Sequence, residues 1–323
     1  MLSKYSKNIS FLIIFFTIFA ILAIWQPETF LSVGNFQSMA FQIPEFGLLA
    51  LAMTLAILTS GIDLSVISIT VLSGIAGGFV FEGLLVTNIN IYIIIILAVF
   101  TVLFVGALCG LLNGILIGPG KLAPILVTLG SSRLFVGIAM VFTKGGAKTD
   151  FPEVFVNFGN GTLLFMPNIF IIFLVLALIL GIVLNKAKLG FNIYMIGTNP
   201  LAAIFTGISN KKVLLSVYTI IGAICGCAAL VVMARTNSIK VGYGTSYLLQ
   251  SVLVAILGGV DPTGGFGTIT GVVLGIFILQ IISSGFNLLG FSAFLRNAIW
   301  GTLLIVVMIV NFYMKKNRRI GID

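Results

Sequence analysis

The 323-residue chain contains no histidine and only three cysteines, and charged residues make up just 8% of it. Each scarcity excludes something. Without histidine, and with Cys109, Cys225 and Cys227 all inside apolar stretches, there is neither the ligand set of a Cys/His metal site nor the pattern of a disulfide framework. No metal is expected. The lack of histidine and of paired acids also disfavours an enzyme, because general acid–base chemistry needs titratable groups brought together. The eight acids all fall at span ends or in loops: Glu28, Glu45, Glu82, Asp150 and Glu153 outside or near the outer interface, and Asp63, Asp261 and Asp323 inside. An ion-coupled secondary solute transporter normally carries a buried carboxylate or an unwound helix. With neither evident, that class stands as the alternative function. Nucleotide motifs are missing too. The nearest approach to a Walker A, Gly114 to Lys121, has its glycine one residue too far from the lysine and Leu122 where Ser/Thr is needed. Any ATP must be bound by a partner, so the chain itself is expected to hold no cofactor.

What the chain has in abundance is apolar length. Hydrophobic residues make up 59% of it and the mean hydropathy is +1.24, values that describe an all-α polytopic membrane protein. Cut at charges, prolines and glycine clusters, the apolar runs fall near residues 9–26, 40–59, 64–82, 89–117, 122–143, 163–184, 213–234, 247–260, 266–287 and 293–313, about ten transmembrane helices in a single domain over 1–323. The run at 247–260 is short enough for a half-span or a pair of broken helices, and the 40–82 region can be parsed with a break around Ser60 to Ser65. The net charge of +9 is distributed by side rather than as a nucleic-acid patch. With the N-terminus inside, Lys4, Lys7, Lys121, Lys186, Lys188, Lys211, Lys212, Lys315, Lys316, Arg318 and Arg319 are cytoplasmic, eleven of the 17 basic residues. Both termini are therefore expected in the cytoplasm, in contact with membrane lipid on either flank. The first run carries no A-x-A-like cleavage site and is read as a retained span.

The 37 glycines concentrate inside the spans, as in Gly106-x-x-x-Gly110-x-x-x-Gly114, Gly222-x-x-x-Gly226 and Gly271-x-x-x-Gly275, spacings that bring two helices together at one small face. Gly-Ala-Leu-Cys-Gly at 106–110 and Gly-Ala-Ile-Cys-Gly at 222–226 hint at an internal duplication. Two loops stand out. Asp63 precedes an apolar helical run, where its carboxylate is expected to take free amides of the first turn, and Gly258 to Gly267 has turn chemistry at both ends. Between Gly197 and Val213 lies a polar, basic island. Pro200 is placed to open a short helix there and Gly207 to close it.

Four segments carry a resemblance to the inner-membrane permeases of bacterial ABC importers for ribose, other simple sugars and autoinducer-2. They are Leu58-Thr-Ser-Gly-Ile-Asp-Leu-Ser65, Ala123-Pro-Ile-Leu-Val-Thr-Leu-Gly130, the Gly197 to Ile208 island, and Ala255-Ile-Leu-Gly-Gly-Val-Asp-Pro-Thr-Gly-Gly-Phe-Gly-Thr268 with Gly271 and Gly275 after it. They follow the family's order and together span nearly the whole chain. The resemblance implies a type II-like importer permease in a bacterial plasma membrane. It also implies a second permease subunit (homo- or heterodimer), a cytoplasmic ABC ATPase holding ATP and Mg, and an extracytoplasmic sugar-binding protein. Asn199, Pro200, Leu201, Ala202, Ala203, Thr206 and Gly207 are similar to the coupling helix of such permeases, with Ala202 and Ala203 as its smooth face, inside a coupling loop at about 185–213. Gly61, Asp63, Ser65, Gly258, Gly259, Asp261, Gly264 and Gly265 form the cytoplasmic motif and cap. A neutral polyol in transit would meet uncharged span residues, for which Thr54, Thr59, Ser65, Ser68, Thr70, Ser73, Asn113 and Thr128 are the candidates. One departure is visible. Where the family often reads Gly-x-Gly-x-Glu-Leu, this chain reads Gly242-Tyr243-Gly244-Thr245-Ser246-Tyr247-Leu248, so that Tyr247 takes the acid's place.

Overall fold

Lipid offers the backbone no hydrogen-bond partner, so each long apolar run folds as a helix that satisfies its own N–H and C=O groups. The computed structural model describes residues 15–320. Its helices are α1 (Phe15–Trp25), α2 (Pro27–Phe30), α3 (Val33–Leu58), α4 (Val66–Leu84), α5 (Ile91–Ile117), α6 (Pro124–Thr143), α7 (Glu153–Asn160), α8 (Asn168–Lys186), α9 (Lys188–Thr198), α10 (Pro200–Phe205), α11 (Asn210–Thr236), α12 (Tyr247–Leu257), α13 (Ile269–Leu288) and α14 (Ala293–Ile320). Eight of the described helices are long and apolar enough to cross a membrane: α3, α4, α5, α6, α8, α11, α13 and α14 over Ala293–Val310. Helix α12, at 11 residues, spans about 16 Å and is a half-span. Lys4, Lys7, the start of the first apolar run and Asp323 lie outside the described residues.

Two expectations change. The second run begins seven residues earlier than its hydropathy suggests, because Ser32 caps α3 by accepting the Asn35 amide at 3.2 Å and the helix then continues through Pro44. Glu45 is therefore not near an outer interface. It lies halfway along α3, about 20 Å from Leu58 at 1.5 Å per residue, and is 1% exposed. The break at Ser60 to Ser65 is present between α3 and α4.

The tightest helix crossing joins α5 to α11, and there the two similar pentapeptides meet. A Cβ on Gly106 would lie 2.5 Å from the Gly222 carbonyl oxygen and 3.2 Å from Gly226 Cα; one on Gly222 would lie 2.9 Å from Gly110 Cα. The shared pattern thus has a packing reason, since each is the small face the other needs. Two short antiparallel pairs cap the end at which α6 and α11 finish: β1 (Lys148–Thr149) with β4 (Ser238–Ile239), and β2 (Thr162–Leu163) with β3 (Met166–Pro167). Lys148 pairs there with Glu82 and sits over the Phe79 ring. The opposite end carries α9, α10, the α3–α4 turn and the 258–267 loop, together with Lys121, Lys186, Lys188, Lys211 and Lys212.

Candidate functional site

The short helix expected from Pro200 is α10. Asn199 Oδ1 accepts the Leu201 and Ala202 amides, each at 3.0 Å, and Pro200 occupies the first turn where no N–H is required. Gly207, at φ +81°, closes the helix, with its amide on Ile204 O at 2.9 Å and Ile208 N on Ala203 O at 3.0 Å. Helix α9, ahead of it, was not anticipated. The face of α10 differs from the one expected. Ala203 is fully buried against the helices behind it, and Ala202 is half-buried, whereas Leu201 (69%), Ile204 (55%) and Phe205 (90%) project outward. Alanine at 203 is therefore the seat of α10. The outward apolar tip is made by Leu201, Ile204 and Phe205, the last two of which the sequence pattern did not single out.

Three of the four resembling segments converge where α9 ends. Ser60, held at φ +62°, shares its hydroxyl proton between the Gly197 carbonyl (2.9 Å) and the Thr263 carbonyl (2.8 Å), and the Gly265 amide donates to Leu58 O at 3.0 Å. Gly197 is wedged so closely that a side chain would collide with Leu58 O and lie 2.9 Å from Gly265 Cα. The glycine loop is self-braced: Asp261 Oδ1 accepts the Thr263 amide (2.9 Å) and hydroxyl (2.7 Å), the Gly264 amide donates to Asp261 O (2.9 Å), and the Asp261 amide donates to Phe266 O (2.8 Å). Gly258 and Gly271 press α12 onto α13. The fourth segment abuts the same turn, since a Cβ on Gly61 would lie 3.1 Å from Pro124 Cβ, and Thr128 Oγ1 donates to Ile62 O at 3.0 Å. So α10 stands on a rigid plinth of backbone contacts.

Asp63 sits just behind that plinth and is fully buried. Its Oδ1 accepts the Ser65 amide (2.8 Å) and hydroxyl (2.5 Å), so it caps the entry to α4 through Ser65 rather than through amides deeper in the first turn. Burial pushes its carboxyl up to about 6, against the two Ser65 hydrogen bonds that lower it. The pathway candidates are all buried. Thr54, Thr59, Ser68, Thr70 and Ser73 return their hydroxyls to carbonyls three or four residues back, Ala50 (2.7 Å), Ala56 (2.9 Å), Ser65 (2.8 Å), Val66 (2.8 Å) and Thr70 (3.1 Å). Asn113 donates to Ser65 Oγ at 2.8 Å.

A second polar centre lies halfway along α3. Glu45 Oε1 meets Arg235 Nη1 at 2.6 Å and accepts from Tyr243 Oη at 3.2 Å, while Oε2 accepts from Tyr247 Oη at 2.6 Å. This joins α3, the end of α11 and the start of the half-span α12. Tyr247 thus holds an acid supplied by α3. Toward the start of α3, Gln280 donates to Gln42 Oε1 (3.3 Å) and Ser284 to Asn35 Oδ1 (2.8 Å).

Over residues 35–310 the sequence matches the family described as branched-chain amino acid transport system / permease component. The chain belongs to this family. The permease is also similar to the ribose import permease protein RbsC of Bacillus subtilis (strain 168), 33% identical over 300 residues that cover 92% of this chain and 90% of that protein. It is 31% identical to RbsC of Escherichia coli (strain K12) over 304 residues, 93% of this chain and 92% of that one. Against the autoinducer 2 import system permease protein LsrD of Escherichia coli (strain SMS-3-5 / SECEC) the identity is 31% over 269 residues, 81% and 79% of the two chains. No solved structure matches it. The family and the eight apolar helices make the permease a multi-pass membrane protein.

Proposed function

We propose that the permease is the membrane subunit of an ATP-driven importer for a simple sugar or a related small neutral polyol such as autoinducer-2. The observation that carries this reading is α10. An apolar tip of Leu201, Ile204 and Phe205 is held out from the basic end of the bundle on a braced seat, although exposing a phenylalanine to water is unfavourable unless another surface covers it. On this reading the cover is a groove of a cytoplasmic ABC ATPase, which binds ATP and Mg and moves α10 as it closes. The basic end then faces the cytoplasm, as the positive-inside rule requires, with both termini on that side of a bacterial plasma membrane. A second permease subunit, identical or paired, completes the solute path, and an extracytoplasmic binding protein delivers the solute. The class of solute follows from what the similar RbsC and LsrD proteins are named for importing.

Uptake by cells expressing the permease with an ABC ATPase and a sugar-binding protein tests the reading. Uptake should collapse on ATP depletion and survive an uncoupler; the reverse pattern would point to ion coupling. Ile204→Asp and Phe205→Asp place a charge on the exposed tip without touching the bundle. Each should weaken ATPase association by about 2 kcal/mol, roughly thirtyfold, with membrane insertion unchanged. ATPase capture at wild-type levels by both variants would contradict the proposed docking face.

A further inference from the structure

Only four side-chain polar atoms among the described residues are buried without a hydrogen-bond partner, and three of them, Asp63 Oδ2, Asn113 Oδ1 and Tyr218 Oη, belong to neighbouring side chains. Ser65 Oγ links two of these side chains through their other polar atoms: it donates to Asp63 Oδ1 at 2.5 Å and accepts from Asn113 Nδ2 at 2.8 Å. This pairing fixes the amide's orientation, because the serine proton is already committed and only an N–H can approach its oxygen. The free oxygen of each side chain therefore shares its carbon with an atom bonded to that one hydroxyl. Tyr218 completes the group. Its Oη would lie 2.7 Å from a Cβ on Gly61, two residues before Asp63, and its Cβ packs 3.3 Å from the Cβ position of Gly114, the residue after Asn113. All three side chains are fully buried.

Two acceptors and one hydroxyl donor, none of them bonded to another, are the complement of a water molecule, which offers two protons and a lone pair. Leaving a polar group buried and unpaired is costly, and buried waters typically satisfy about three such groups at once. A cation would neutralise the carboxylate, but the first turn of α4 already turns its partial positive charge toward Asp63, and a phenol hydroxyl offers a cation no charge. We propose that Asp63, Asn113 and Tyr218 bind one ordered water molecule. That water joins the start of α4, α5 and α11 directly behind Ser60 and Gly61, and so holds in place the turn on which α9 and α10 are seated.

A density map of the permease in lipid nanodiscs, at a resolution that resolves water, tests this directly. The expected result is one peak about 2.7–3.0 Å from all three oxygens, present equally in sodium and in choline chloride, with the same melting temperature in both. Tyr218→Phe removes only the donor and should weaken the peak and lower the melting temperature by a few degrees. An empty site in the wild-type map would overturn the proposal. So would a peak at distances well short of a hydrogen bond together with a melting temperature that rises with sodium, which would make the site a cation site. Because these readouts do not depend on transport, they remain decisive if Tyr218→Phe fails to fold or the importer reading fails.

Discussion

A Gly222→Leu permease is expected to lose its native fold, with no monodisperse protein recovered from membranes in mild detergent. At this crossing of α5 and α11, the Cβ of any larger residue meets the Gly106 carbonyl oxygen and lies 2.9 Å from Gly110 Cα, both backbone atoms. A side chain can turn aside; two helix backbones can only move apart. The penalty should therefore exceed the about 1–3 kcal/mol typical of an overfilled core, because separating the helices also removes the packing around Tyr218, Cys225 and Cys109. Gly34→Leu is the control, since nothing lies within 4 Å of a Cβ there, and it should behave as wild type. Equal melting temperatures for Gly222→Leu and wild type would show that the two pentapeptides do not meet as described.

The other large effect is expected at Glu45. Glu45→Ala leaves the Arg235 guanidinium and the Tyr243 and Tyr247 hydroxyls without their shared acceptor, halfway along a spanning helix. Removing one partner of a buried ion pair costs about 3–5 kcal/mol, whereas replacing both with apolar groups of similar size is often neutral. Arg235, 28% exposed, retains some access to water, which puts the expected loss near the lower end, about 3 kcal/mol. Glu45→Met with Arg235→Met should recover most of the lost melting temperature. If the double variant melts no higher than Glu45→Ala, the ion pair is not the reason for the loss. Because the same carboxylate anchors the start of α12, Glu45→Ala should also expose the 242–247 segment to hydrogen exchange ahead of the rest of the bundle.

Much of this architecture can be read in the sequence, and what cannot be read has identifiable causes. Spans were legible because a lipid-facing helix must be apolar over its whole length. The short helix at Tyr247–Leu257 was legible as a run too brief for a full span, though a pair of broken helices fitted the same residues equally well. The start of α3 was not, because Gly34, Asn35, Gln37 and Ser38 lower the hydropathy of its first two turns, and the partner that receives one of them, Ser284 on Asn35, comes from α13. The orientation of α10 was not legible either. Six residues make under two turns, and the small alanines of such a segment suit a partner's groove and a tight seat equally well.

Sequence alone determined the local events: where most of the long apolar helices lie, that Pro200 and Gly207 bound a short helix, that basic residues gather at one end, and which four segments mark the family. Tertiary structure alone decided which of these meet. Ser60 bonds residues 137 and 203 positions away, Gly222 faces Gly106, and Glu45 finds Arg235 and Tyr247 on two other helices. Periodicity and capping act over a few residues and are written directly in their order. The cost of a buried charge, an unpaired oxygen or a close backbone approach depends on neighbours distant in the chain, and it is set only once the helices have packed.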